Sequence, residues 1–143
     1  MNILPASLRD LGPLRQLEHA CFPKDAWPFL DLIAVLTWPD VIRLKAMEED
    51  LMVGFIAADQ RSSEHLSWIA TLGVSPAYQR RGIGRALLRA CEARLTLPRI
   101  RLCVRASNQA AIRLYEQEGY LAIDTWSAYY DDKESALVME KIR

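Results

Sequence analysis

Val74-Ser75-Pro76-Ala77-Tyr78-Gln79-Arg80-Arg81-Gly82-Ile83-Gly84-Arg85-Ala86 is the stretch on which the fold turns. An apolar run ends at Val74, Ser75-Pro76 breaks it, and a helical pattern opens at two glycines one residue apart. Ile83, Leu87, Cys91 and Leu95 then recur every fourth position, while Arg85, Arg89 and Glu92 fall on another face, which predicts a helix from Gly82 to Leu97. First-turn amides of a helix have no intrahelical partner and carry the positive end of its dipole; missing Cβ atoms let an anion come close. Arg80 and Arg81 add charge-assisted donors. A dinucleotide fingerprint would need a third glycine where Leu87 stands, and a Walker loop would need Gly-Lys-Ser/Thr where the chain has Leu87-Leu88-Arg89. A pyrophosphate cradle of another type remains, against the plainer reading that the glycine pair serves a tight turn or close packing.

The segments on either side predict a mixed α/β order. Leu8, Leu11, Leu14 and Leu17 place a helix over residues 7–20, and a second over Asp25 to Trp38 is entered at Trp27-Pro28. Val41–Glu48 and Leu51–Gln60 read as strands joined by a hairpin at Glu49-Asp50, followed by a third strand at His65–Val74. Arg99–Arg105 alternates, with Ile100, Leu102 and Val104 on one face and Arg101, Cys103 and Arg105 on the other. Ser107 is placed as the cap of a helix running to about Glu118, with Gly119 at a left-handed exit. Leu121–Trp126 and Ala136–Lys141 close the chain as strands.

The 143 residues amount to one domain, 51% hydrophobic and 25% charged, the balance of a soluble globule. No internal repeat or Gly/Ser linker divides residues 1–143. The longest run free of Asp, Glu, Lys and Arg is His65–Gln79, 15 residues, too short to span a bilayer. With no basic, then apolar, leader at Met1, the expected location is the cytoplasm, with no membrane partner. Cys21, Cys91 and Cys103, with only His19 and His65, form neither a disulfide framework nor a metal site. The net charge is zero, yet residues 80–113 hold nine arginines against the single acid Glu92. That asymmetry points to a polyanionic partner, or else to a solvated helix face. With one aromatic, Tyr78, in its neighbourhood and no reading-helix motif, the segment does not fit nucleic acid.

Gln79-Arg80-Arg81-Gly82-Ile83-Gly84 resembles the Gln/Arg-x-x-Gly-x-Gly/Ala motif of the GCN5-related N-acetyltransferases (GNAT superfamily). Arg105 to Tyr115, Glu118-Gly119-Tyr120, Tyr129-Tyr130 and Ala136 to Met139 are similar to the protein N-terminal acetyltransferase branch, in particular to ribosomal-protein-alanine N-acetyltransferases of the RimI type. The likeness is strong over residues 64–143 and extends to the first half only in the order of elements. It implies a GNAT fold, α/β (α+β), with a mixed central sheet of about six to seven strands flanked by about four helices. It also implies acetyl-CoA as cofactor. By the resemblance, Leu72, Gly73 and Val74 present backbone groups to the pantetheine arm. Gln79, Arg80, Arg81, Gly82, Ile83, Gly84, Arg85 and Ala86 hold the pyrophosphate, and Asn108 touches the arm near the reacting end. Asn108 also reads as a simple helix cap, and Tyr115 as a core aromatic; the resemblance makes Tyr115 the acid that protonates the leaving thiolate. Tyr129 and Tyr130 line the acceptor cleft, or else are edge-strand surface aromatics.

One position departs from the family. Where the RimI pattern is Leu-Glu-Val-Arg, this chain has Leu102-Cys103-Val104-Arg105, so the carboxylate that the family uses as general base is missing. Trp68 stands where other members have a tyrosine, and it cannot accept a proton. Arg101 and Arg105 would favour a thiolate at Cys103, against the plainer reading of a small strand residue; Glu64 and His65 are the other titratable candidates. The loss matters less for an α-amine, whose pKa is near 7.8, than for a lysine near 10.4, a difference of about 3.5 kcal/mol in deprotonation. The expected activity is therefore transfer of acetyl to a primary amine, foremost a protein N-terminus, by a monomer or homodimer. The alternatives are a small-molecule amine acetyltransferase acting on polyamines, and a non-catalytic acyl-CoA-binding regulatory protein.

Overall fold

A computed structural model describes residues 1–143. Seven strands form one mixed sheet in the order β1-β2-β3-β4-β5-β7-β6, with four α-helices. Most sequence-derived bounds hold to within a residue: β2 Val41–Glu48, β3 Leu51–Arg61, β4 Leu66–Val74, β5 Arg99–Arg105, β6 Leu121–Trp126 and β7 Ala136–Ile142. Glu49, at φ 53, makes the tight β2–β3 turn. The helices are shorter than the apolar patterns around them: α1 Leu11–Cys21, α2 Phe29–Thr37, α3 Ile83–Arg94 and α4 Gln109–Gln117. The first turn expected for α1 is a 3-10 segment at Leu8–Asp10, and Pro28, extended at ψ 152, caps α2 instead of entering it. The expected strands miss β1, Asn2–Pro5, which pairs with Leu44–Met47.

The chain divides into two compact units. The first comprises Met1–Gln60 and Ala70–Leu95. There β1, β2 and β3 run antiparallel, and Leu14 and Leu17 of α1 join Leu32, Val35 and Leu36 of α2 and Phe55 of β3 in one apolar core. Helix α3 lies close upon its strands because β3 carries Gly54 at the crossing. A Cβ there would stand 2.8 Å from Leu87 Cδ1, 3.3 Å from Ile83 Cγ2 and 3.3 Å from the Gly73 carbonyl. That approach fixes the height at which the first turn of α3 sits.

The second unit comprises Arg61–Ile69 and Thr96–Arg143. Leu66–Trp68 pairs in parallel with Arg99–Arg101, the arrangement a strand–helix–strand crossover produces. Strand β5 pairs antiparallel with β7 along its full length, and β7 with the edge strand β6. Ile100, Leu102 and Val104 are buried, as their alternation requires, together with Val138, Met139 and Tyr120. No helix is long and apolar enough to cross a membrane.

Candidate active site

In the first unit, β4 leads through a 3-10 turn, Pro76–Tyr78, to α3. Gly82 is the α3 N-cap at φ 80 and ψ 9, a left-handed conformation that costs glycine nothing. No side chain caps this terminus, and a Cβ on Gly82 would meet nothing within 4 Å. The first amides of α3 therefore open onto unfilled space, with Ile83 buried as their anchor and Gly84 inside the first turn. Arg80 is itself left-handed at φ 65, and the Arg81 guanidinium lies 4.9 Å over the Tyr78 ring. Both arginines are exposed, whereas Arg85 and Ala86 are half-buried on α3. The Gln79 Nε2 donates to the Val74 carbonyl at 3.1 Å, as does the Cys21 thiol at 3.2 Å. That carbonyl is thus satisfied within the chain. Leu72 and Val74 are half-buried, Gly73 is buried, and the β4 register with β5 ends at Trp68↔Arg101, so the later β4 amides stay out of that ladder.

An acid missed by sequence reading lies below this strand. Glu18 continues the buried face of α1 marked by Leu14 and Leu17, and it is 3% exposed. Oε2 accepts a long hydrogen bond from Thr71 Oγ1 at 3.4 Å, and Oε1 is buried without a partner. Burial lifts its pKa from 4.5 to about 7, against the lowering effect of the Thr71 hydroxyl and the Trp27 backbone. An acid at the i+4 position of a leucine stripe was the signal available in the sequence.

In the second unit, Asn108 and not Ser107 caps α4. Its Oδ1 accepts from the Ala111 amide at 3.2 Å, whereas the Ser107 hydroxyl is engaged by Glu134, which also takes the Ser107 amide at 2.8 Å on Oε2. The α4 exit at Gly119, φ 95, folds the buried Tyr120 back so that its ring meets Tyr115 edge-on at 5.8 Å. Tyr115 is 7% exposed; burial, then the neighbouring Tyr130, pushes its phenol well above the usual range, so it holds its proton at neutral pH.

Arg105 organises the loop before β7. It donates to Asp132 at 3.0 Å and Glu134 at 2.8 Å, and its guanidinium lies 4.2 Å over the Tyr130 ring. The Ser107 hydrogen bonds, then Arg105, hold the Glu134 carboxyl below the usual carboxylate range. Tyr130, Tyr129, Trp126 and Trp68 follow one another with ring centroids 5.0, 5.4 and 6.0 Å apart. Tyr129 is 52% exposed, so this aromatic row has a face open to solvent.

Cys103 lies half-buried on β5. Arg101 is engaged by Glu140 and Arg105 by the acids of its loop, so neither supports a thiolate, and burial raises the Cys103 thiol above its ordinary pKa. Glu64 is exposed and paired with Arg61 at 3.6 Å; His65 ends the preceding 3-10 turn at φ 53. No group of three metal-binding side chains occurs.

Residues 11–120 match the acetyltransferase (GNAT) family model. The chain belongs to the GNAT acetyltransferase family. Among its relatives, N-alpha-acetyltransferase 50 of Danio rerio is 34% identical over 141 residues, covering 94% of this chain and 81% of that protein. N-alpha-acetyltransferase RimI of Mycobacterium tuberculosis is 33% identical over 111 residues, covering 74% and 68%. The crystal structure of the ribosomal-protein-S18-alanine N-acetyltransferase from Escherichia coli superposes with a TM-score of 0.88 at 26% identity, covering 99% of this chain and 92% of that one. This GNAT protein is an acetyl-CoA-dependent N-acetyltransferase. The uncapped terminus of α3, the space over Gly82 and the exposed arginines before it fit the diphosphate of that cofactor.

Proposed function

We propose that this GNAT protein acetylates the α-amine of a protein N-terminus. The observation that carries the reading is the state of Cys103. With a protonated thiol where a carboxylate would stand, the second unit offers no strong base there, and an amine that is already partly neutral at pH 7 is the acceptor such a site can use. The kinship with N-alpha-acetyltransferases supports the same acceptor.

Acetyl-CoA supplies an activated acyl group as a thioester. For this chain we assign the diphosphate to Gln79, Arg80, Arg81 and the Gly82–Ala86 turn, and the pantetheine arm to the backbone of Leu72, Gly73 and Val74 and to Asn108. In Gln79 the assignment requires the side chain to leave the Val74 carbonyl or to serve through its backbone. The β4 amides steady charge that develops on the carbonyl oxygen. Tyr115 acts as general acid: its burial keeps the phenol protonated until a thiolate base forms beside it. Tyr129 and Tyr130 receive the acceptor peptide, with Tyr130 oriented by Arg105.

Thiol release from acetyl-CoA, measured against N-terminal peptides and polyamines, tests the reading. Peptide-dependent release, with mass spectrometry placing the acetyl group on the α-nitrogen, is the expected result. Turnover of polyamines alone would make it a small-molecule enzyme. Coenzyme binding without turnover would make it a regulatory protein.

A further inference from the structure

One buried acid has no part in the roles above. Glu18 sits in the buried face of α1 with Oε1 buried and without a hydrogen-bond partner, and its side-chain donor is Thr71 of β4. Burying a carboxyl whose hydrogen bonding is incomplete is costly, and the cost is least while the group holds its proton. Thr71 is half-buried and immediately precedes Leu72, the start of the backbone stretch assigned to the pantetheine arm. Its hydroxyl is thus bonded to the shielded acid from a residue that solvent partly reaches.

We infer that Glu18, acting through the Thr71 hydroxyl, takes the proton from the acceptor amine and so supplies the general base of the reaction. The inference rests on the reading that the acceptor is an amine. Thr71 Oγ1 accepts a proton from the nitrogen while passing its own to Glu18 Oε2. The nitrogen lone pair forms the new C–N bond as the C–S bond breaks, and the departing thiolate takes a proton from solvent. One proton has left nitrogen and one has reached sulfur; Glu18 then resets by exchange with solvent.

The surroundings suit a base that works near neutrality. Burial brings the carboxyl to about 7, close to the pKa of an α-amine. The titratable group facing it is Cys21, one turn along α1, whose thiol burial and Glu18 itself push up to about 11, so it stays neutral. From β4 the facing group is the Thr71 hydroxyl, and from the α1–α2 loop the Trp27 backbone. None of these titrates in the working range.

Two substitutions keep the shape and remove the chemistry. Glu18→Gln and Thr71→Val should each lower kcat about a hundredfold, the span of general-base catalysis, with the KM for acetyl-CoA unchanged. Thr71→Ser should keep most of the rate. The fall in kcat below pH 7 should vanish in Glu18→Gln. Infrared difference spectra of the protein without acetyl-CoA should show a protonated carboxyl titrating near neutral pH that Glu18→Gln lacks. A Glu18→Gln enzyme with wild-type kcat and an intact acid limb would overturn the inference, as would a carboxyl band that titrates in the ordinary carboxylate range. If Glu18→Gln fails to fold, Thr71→Val against Thr71→Ser decides, equal rates overturning it. Kinetics are run with whichever amine the wild type acetylates: a polyamine would sink the peptide reading alone, whereas no amine turnover at all would sink both.

Discussion

Replacing Glu18 by glutamine should change how stability responds to pH, and by an amount the structure specifies. The side chain is 3% exposed, and its pKa rises from 4.5 to about 7 on folding. The folded state thus binds this proton more tightly than the unfolded state does. Stability from this group is full at pH values below 4.5, falls as pH rises, and is lost once pH passes about 7. At 1.36 kcal/mol per pH unit the loss amounts to about 3 kcal/mol. Glutamine has no such proton, so the stability of Glu18→Gln relative to wild type should grow by about 3 kcal/mol between pH 4.5 and 8, most of it by pH 7. Urea unfolding at a series of pH values measures the difference directly, and because both proteins share every other titrating group, only its change with pH matters. In thermal melts the same difference is roughly 10 °C. If the two stability profiles ran parallel from pH 4.5 to 8, the buried carboxyl would have an ordinary pKa and the reasoning from its burial would fail.

Tyr115→Phe should lower kcat by about a hundredfold or more while leaving the fold intact, since the ring packing on Tyr120 survives; steady-state kinetics and circular dichroism check both halves. Cys103→Ala should leave the rate nearly unchanged because its thiol is held protonated, and an acetyl-cysteine trapped in mass spectra would contradict that. Gly54→Ala should cost about 1–3 kcal/mol in urea melts, since the new Cβ meets Leu87, Ile83 and the Gly73 carbonyl together. Arg105→Lys loses the fork shared by Asp132 and Glu134 and should open the loop before β7 to proteolysis.

The strands were legible because their periodicity is strong: Arg99–Arg105 buries every second residue, as its alternation requires. Strand β1 was not, since four residues ending in proline carry too little pattern, and only pairing with Leu44–Met47 makes them a strand. The α4 cap was placed one residue early because Ser107 and Asn108 are both good caps. The choice between them was made by Glu134, distant in sequence, which claims the Ser107 hydroxyl as well as its amide. The same remoteness left the state of Cys103 open in the sequence: two arginines flank it there, but Glu140, Asp132 and Glu134 engage them in space. The turn before α3 was readable down to its glycines, since backbone demands there are local. Glu18 was overlooked because partial burial of a carboxyl depends on a strand more than fifty residues away.

Arg80 stands at φ 65, a posture glycine would hold more comfortably by about 1 kcal/mol. Selection for sturdiness alone would therefore drift toward glycine here, and selection for grip on a diphosphate would hold the guanidinium in place. Under the proposed assignment of Arg80 to the coenzyme diphosphate, any campaign to harden this protein by relaxing its strained backbone will trade thermal endurance against coenzyme capture at that residue.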